Sequence, residues 1–115
     1  MALKITNREV DGVTVVALDG RIVLGEETKA LRETVKGLLA ENKKKFVLDM
    51  ERVMHIDSNG IGTLVELRNS ANSRGASLRL CNVRAKCEEI LRMAGLPPFF
   101  DILNSEADAV RSFAQ

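Results

Sequence analysis

Apolar and polar residues alternate along the first part of the chain, a pattern typical of β-strands. Residues 3–10 alternate weakly, and residues 13–18 are mostly β-branched and apolar. Asp11-Gly12 lies between these segments and predicts a tight hairpin turn, because glycine tolerates positive φ. We expect the second strand to end at Asp19-Gly20. The pattern therefore predicts an amino-terminal β-hairpin.

The pattern changes to a helical period after Gly25. Between Gly25 and about Asn42, apolar residues recur at spacings that place them on one face of a helix, at Leu31, Val35, Leu38 and Leu39. Residues 46–50 then form an apolar run broken only by Asp49. Such a run favours a strand that is buried in a parallel or mixed sheet.

The remainder of the chain alternates helices with strands. The predicted elements are a helix from about 58 to 73 with Gly75 as its cap, a strand over 77–83, a helix over 84–94, a strand over 99–103, and a last helix after Asn104 or Ser105. The order is therefore β-β-α-β-α-β-α-β-α. Such alternation predicts an α/β protein with a mixed β-sheet and helices packed mainly on one side. No linker or repeat divides the sequence, so residues 1–115 are predicted to form a single domain.

Composition and charge narrow the possible functions. Aromatic residues make up only 3% of the chain, so the core must be aliphatic and platforms for stacking nucleobases are not expected. The 17 basic and 16 acidic residues are interleaved and give a net charge of +1. This balance argues against direct binding of nucleic acid or of an anionic membrane.

The two cysteines, Cys81 and Cys87, have neither the number nor the spacing of a zinc site, so we expect both to be reduced and buried. No metal or cofactor is predicted. The amino terminus lacks the apolar core of a signal peptide, and no apolar stretch approaches the roughly 20 residues of a membrane span. The cytoplasm is the expected location, without membrane insertion.

The segment from Asp57 to Gly62 is the most informative part of the sequence. Asp57 and Ser58 are both good N-cap residues for the helix that follows. Gly60 and Gly62 each cost about 1 kcal/mol relative to alanine so early in a helix. Their lack of side chains would allow another protein to approach the backbone closely. On local sequence alone, however, Asp-Ser before a helix is most often simply a cap.

The residue types and spacings of this segment do not support a catalytic interpretation. His55 is the only histidine and stands three residues before Ser58, a spacing that rarely lets a base and a nucleophile converge. The Gly-x-Ser-x-Gly pattern of hydrolases is absent, because Ile56 occupies the position two before Ser58. No lysine follows Gly60 or Gly62, which excludes a Walker-type phosphate loop. The sequence therefore predicts a protein that is not an enzyme.

The central motif resembles that of STAS domains of the anti-sigma factor antagonist type. It comprises residues 46–50 followed by Val53-Met-His-Ile-Asp-Ser-Asn-Gly-Ile-Gly62. The similarity continues through residues 74–80, residues 90–91 with 95–96, and residues 100–102 with 105–110. The resemblance implies partner switching. The unphosphorylated antagonist binds an anti-sigma factor that is also a serine kinase, phosphorylation releases it, and a PP2C-type phosphatase restores it. Ser58 matches the phosphorylated serine, Asp57 matches the motif aspartate, and Asn59, Gly60, Ile61 and Gly62 would complete the partner-binding surface.

Two departures from the family pattern affect this interpretation. Asn59 replaces a second hydroxyl residue, and residues 20–24 lack the acidic side chains that many members carry in a loop expected beside the phosphosite. An alternative reading is a STAS subunit of a transport or other multi-protein complex that undergoes no phosphorylation. Genes for a kinase or phosphatase next to this one would favour the first reading, and a lipid-transport ATPase gene would favour the second.

Overall fold

The computed structural model describes residues 3–114 and shows one five-stranded sheet with helices packed on both faces. Its elements are β1 (Lys4–Val10), β2 (Val13–Ile22), α1 (Glu26–Ala40), β3 (Lys45–Ile56), α2 (Ser58–Ser73), β4 (Ser77–Cys81), α3 (Ala85–Met93), a 3-10 helix (Pro97–Phe99), β5 (Ile102–Leu103) and α4 (Glu106–Ser112). The strands lie in chain order, β1 antiparallel to β2 and the others parallel. The predicted α/β fold, element order and mixed sheet are confirmed.

The strand order explains why three helices share one face. Each parallel strand lies beside the strand that precedes it in the chain, so the crossovers through α1, α2 and α3 all step in the same direction. Right-handed crossovers that step in one direction place their helices on the same side of a sheet. Buried side chains of these three helices accordingly share one core with β2, β3 and β4, including Leu31, Leu64, Leu91 and Phe46.

The opposite face of the sheet carries a smaller core under α4. Ala109 and Val110 of this helix pack on Val15, Val47 and Cys81. Ser105 caps α4 by accepting a hydrogen bond from the amide of Asp108 at 3.1 Å, as one of the two predicted caps. The helices therefore lie mainly, but not only, on one side of the sheet, as predicted.

The ends of several strands differ from the sequence prediction. β2 does not end at Asp19-Gly20 but continues to Ile22, through an irregularity in the pairing with β3 at which Gly20 takes φ 135°. β3 likewise runs to Ile56, six residues beyond the predicted apolar run. Only Ile102 and Leu103 form the last strand, because the preceding prolines begin a 3-10 turn.

Cys81 and Cys87 are free and fully buried, as predicted. None of the helices within residues 3–114 has the length and apolar character that a membrane crossing requires.

Candidate functional site

Asp57 and Ser58 lie where β3 passes into α2, at the carboxyl edge of the parallel strands. Asp57 has extended backbone angles and is the N-cap of α2, and its Oδ1 accepts a hydrogen bond from the amide of Gly60 at 2.7 Å. This bond satisfies one of the amides that the first turn of a helix leaves unpaired. Of the two predicted caps, Asp57 is therefore the one that acts, and Ser58 is the first helical residue.

The hydroxyl of Ser58 is available at the surface. Ser58 and Asn59 are both exposed, and the Ser58 side chain has no hydrogen-bond partner among residues 3–114. Because the capping role belongs to Asp57, the Ser58 hydroxyl is not needed to hold the helix. It can be modified without loss of an internal contact.

The two glycines of the motif have different surroundings. A Cβ atom on residue 60 would lie 2.0 Å from the carbonyl oxygen of Ile22, so glycine is required there by packing within the domain. Gly60 is buried, and its packing against Ile22 is sufficient to explain the missing side chain without a partner. Gly62 is exposed, and a Cβ there would meet no atom within 4 Å. Ile61 between them is half-buried against the core.

The loop between β2 and α1 is attached directly to this site. The amide of Leu24 donates to Asp57 Oδ2 at 3.0 Å, and the amide of Asp57 donates to the carbonyl of Ile22 at 3.2 Å. The loop therefore lies beside Ser58, where the family resemblance placed it. Instead of an acidic residue it presents Leu24, whose surface is 67% exposed.

The carboxylate of Asp57 remains ionised over a wide pH range. Partial burial raises its pKa, but this effect is outweighed by hydrogen bonds from the amides of Leu24, Gly60 and Asn59 and by the charge of His55. The net result is a pKa of Asp57 below its ordinary value. The negative charge therefore stands next to Ser58 at neutral pH.

A hydrogen-bond network that the sequence did not reveal supports the first turn of α2. The buried Thr63 donates to the carbonyl of Asn59 at 2.9 Å and accepts from the guanidinium of Arg32 on α1 at 3.2 Å. Arg32 also pairs with Glu66, and Lys36 beside it lowers the pKa of Glu66. Only the packing of α1 against α2 brings these residues together, so no local pattern could have identified them.

Among residues 3–114, no base forms a hydrogen bond with the Ser58 hydroxyl. His55 lies half-buried near the end of β3, and within the described chain it makes no hydrogen bond to Ser58. Asp57 is committed to backbone amides and does not orient a base. An exposed hydroxyl at a helix amino terminus can, however, carry a phosphoryl group that another protein transfers to it.

Comparison with known proteins shows similarity to STAS domains and to proteins named anti-sigma factor antagonists. A family model described as STAS domain matches residues 4–109. BtrV of Bordetella bronchiseptica, provisionally named an anti-sigma factor antagonist, is 22% identical over 96% of this chain and 95% of its own. The anti-sigma F factor antagonist of Paenibacillus polymyxa is 23% identical over 96% of this chain and 94% of its own.

Solved structures share the fold at similarly low identity. An anti-sigma factor antagonist from Mycobacterium paratuberculosis superimposes with a TM-score of 0.88 at 19% identity, covering 98% of this chain and 95% of that one. A sulfate transporter family protein from Wolinella succinogenes also matches, with a TM-score of 0.73 at 23% identity over 90% of this chain and 85% of that one. At these identities the structural likeness establishes the fold alone.

Proposed function

The chain belongs to the STAS domain family, and from this premise we propose that it is an anti-sigma factor antagonist whose binding is controlled by phosphorylation of Ser58. The unphosphorylated protein binds an anti-sigma factor of the serine-kinase type, and the phosphorylated protein is released. A PP2C-type phosphatase removes the phosphate. The protein itself is a single non-enzymatic domain without a cofactor, and it regulates transcription in the cytoplasm without contacting nucleic acid or entering a membrane.

The observation that carries this proposal is the division of roles between Asp57 and Ser58. Asp57 caps α2 and holds the adjacent loop, which leaves the Ser58 hydroxyl exposed and unbonded within residues 3–114. A phosphoacceptor must enter the active site of a kinase without unfolding its own domain. In the transfer, the Ser58 oxygen bonds to the γ-phosphorus of ATP as the bond to ADP breaks, and the hydroxyl proton passes to a base on the kinase.

The effect of phosphorylation on binding follows from local electrostatics. A phosphate adds about −1.5 to −2 charges at neutral pH. The amino terminus of α2 partly compensates this charge, whereas the ionised Asp57 repels it. The proposed partner-binding surface (Asp57, Ser58, Asn59, Gly60, Ile61 and Gly62) would become strongly anionic around Ser58. Gly60 contributes to this surface only by fixing the position of the first turn.

Capture of partners from the native cell extract tests the proposal. Wild type, Ser58→Ala and Ser58→Asp are used as baits, and the captured proteins are identified. We expect wild type and Ser58→Ala to capture a serine kinase of the anti-sigma class and Ser58→Asp to lose it. Incubation of wild type with this kinase and ATP should then add one phosphate, which mass spectrometry maps to Ser58.

The same experiment separates the alternative function. A STAS subunit of a transport complex would capture its complex equally well with all three baits, because Ser58 would have no regulatory role. Phosphate found on another residue, or none with Ser58 intact, would contradict the site assignment.

A further inference from the structure

An apolar groove lies between α2 and the segment that follows α3. It has a volume of about 320 Å³ and is lined by Val65, Arg68, Asn69, Leu96 and Phe100. Leu96 and Phe100 are almost fully buried and form its floor, whereas Val65 is half-buried at its wall. The groove is large enough for one or two apolar side chains.

A positive charge borders this groove. Arg68 forms part of its lining, and its guanidinium makes no ion pair with any residue between 3 and 114. Guanidinium groups preferentially pair with carboxylates. The groove therefore suits a segment that combines an apolar side chain with a neighbouring carboxylate.

The loop after β2 presents such a segment. Leu24 is 67% exposed, and Glu26 follows it, also exposed and without an ion pair in the described part of the chain. The hydrogen bond from the Leu24 amide to Asp57 fixes this loop at the amino terminus of α2. The same chain thus carries both the groove and a segment of complementary chemistry.

Gly62 lies between these two features on the exposed surface of α2. A glycine inside a helix costs about 1 kcal/mol relative to alanine, and packing within the domain gives no reason for it, since a Cβ at residue 62 would meet no atom within 4 Å. A missing side chain on an exposed helix face permits close approach of another backbone. Gly62 is therefore the natural crossing point for a second helix.

We propose that two copies of this chain form a dimer about a two-fold axis that passes close to Gly62. Leu24 of each copy fills the groove of the other, and Glu26 pairs with Arg68 across the interface. Asp57, which holds the Leu24 loop, precedes Gly62 by five residues, and Arg68 follows it by six. At a rise of 1.5 Å per residue these offsets are about 8 and 9 Å along α2. A two-fold axis that passes near Gly62 and is perpendicular to the line joining loop and groove therefore brings each loop opposite the other copy's groove. The dimer requires no phosphorylation and no other protein. Because its contact includes Gly62 and the loop beside Ser58, it would cover part of the proposed partner-binding surface, so dimerisation and partner binding would exclude each other.

Sedimentation velocity over a series of protein concentrations tests this dimer. The sedimentation coefficient of wild type should rise with concentration from that of a monomer to that of a dimer. Leu24→Asp and Arg68→Glu should each raise the midpoint concentration about tenfold or more, equivalent to about 1.4 kcal/mol. The double variant Arg68→Glu/Glu26→Arg restores opposite charges and should move the midpoint back towards wild type.

Met93→Asp provides the matched control. Met93 is an exposed apolar residue, 83% accessible, at the end of α3 and outside the groove, so its substitution should leave the midpoint unchanged. Circular dichroism melts of every variant establish that it is folded. The proposal would be overturned if wild type remained monomeric up to about 1 mM. It would also be overturned if wild type formed a dimer and Leu24→Asp and Arg68→Glu had the same midpoint concentration as wild type. Either result would leave the groove to a different partner.

Discussion

The backbone amide of Leu24 donates a hydrogen bond to the carboxylate of Asp57 at 3.0 Å, across 33 positions of sequence. The other oxygen of the same carboxylate caps α2 through the amide of Gly60. One side chain therefore fixes both the loop beside Ser58 and the helix that begins with Ser58. This double role explains how the surface around Ser58 is held together although it consists of a loop and a helix end.

Replacement of Asp57 by alanine should destabilise the domain. The variant loses the helix cap and the tether to the Leu24 loop, which we expect to lower the free energy of unfolding by about 1–3 kcal/mol. Asp57→Asn keeps one carbonyl oxygen and can still cap α2, so its free energy of unfolding should decrease by a smaller amount. Urea unfolding of the three proteins measures both differences. Equal stability of wild type and Asp57→Ala would show that neither hydrogen bond contributes.

The contribution of Asp57 should also depend on pH. Its pKa is lower in the folded protein than its ordinary value, so its ionised form stabilises the fold above about pH 4 and this stabilisation is lost as the pH falls through the folded-state pKa. The stability advantage of wild type over Asp57→Asn should therefore be constant near neutral pH and decrease below about pH 4. Unfolding curves of both proteins between neutral and acidic pH measure it. An advantage that grows on acidification would contradict the assigned direction.

The two glycines of the motif should respond oppositely to alanine. In Gly60→Ala the new methyl group would collide with the carbonyl of Ile22, which should cost about 1–3 kcal/mol or more. In Gly62→Ala the methyl group enters open space, and the higher helix propensity should add up to about 1 kcal/mol. Chemical denaturation at low protein concentration, where self-association is negligible, compares the pair. Similar changes in the free energy of unfolding of both variants would contradict the close approach of α2 to β2.

Local sequence patterns were sufficient for the element order and for the position of Ser58. Asp11-Gly12 forms the predicted turn with positive φ at both residues, and Gly75 follows the end of α2 with φ 73°. These features depend on the conformational range of individual residues and on capping, which a single sequence contains. The Asp-Ser pair likewise identified the start of α2.

Features that depend on pairing between distant segments were not predictable. β2 and β3 extend to Ile22 and Ile56 because these two residues pair with each other, which overrides the turn signal at Asp19-Gly20. The need for glycine at position 60 arises from the carbonyl of Ile22, a contact between elements that are far apart in sequence. For the same reason the loop's attachment to Asp57 could be expected only from the family resemblance.

The two cysteines should be inert in the folded protein. Burial raises the pKa of Cys81 to about 12, with nearby carboxylates led by Asp49 adding to the effect, and burial likewise raises the pKa of Cys87. Because the thiolate is the reactive form, Ellman's reagent at pH 8 should label neither thiol in the native state and both in denaturing urea. The single variants Cys81→Ala and Cys87→Ala assign any residual reactivity. Rapid labelling of the native protein would show that a thiol is exposed.

The central claim is that charge at Ser58 controls partner binding and leaves the fold intact. Ser58→Asp places a carboxylate at the favourable end of the α2 dipole and beside the repelling Asp57, so the free energy of unfolding should change by less than about 1 kcal/mol. At an interface, a desolvated and unpaired carboxylate costs several kcal/mol, which corresponds to about a hundredfold or more in affinity.

The most direct measurement is a binding titration of the captured anti-sigma kinase with wild type, Ser58→Ala and Ser58→Asp, paired with thermal melts of the same samples. We predict that Ser58→Ala binds like wild type, that Ser58→Asp binds about a hundredfold more weakly or worse, and that all three melt at similar temperatures. Equal binding of wild type and Ser58→Asp would contradict the switch. A loss of binding accompanied by an equal loss of stability would place the effect in folding and not at the interface.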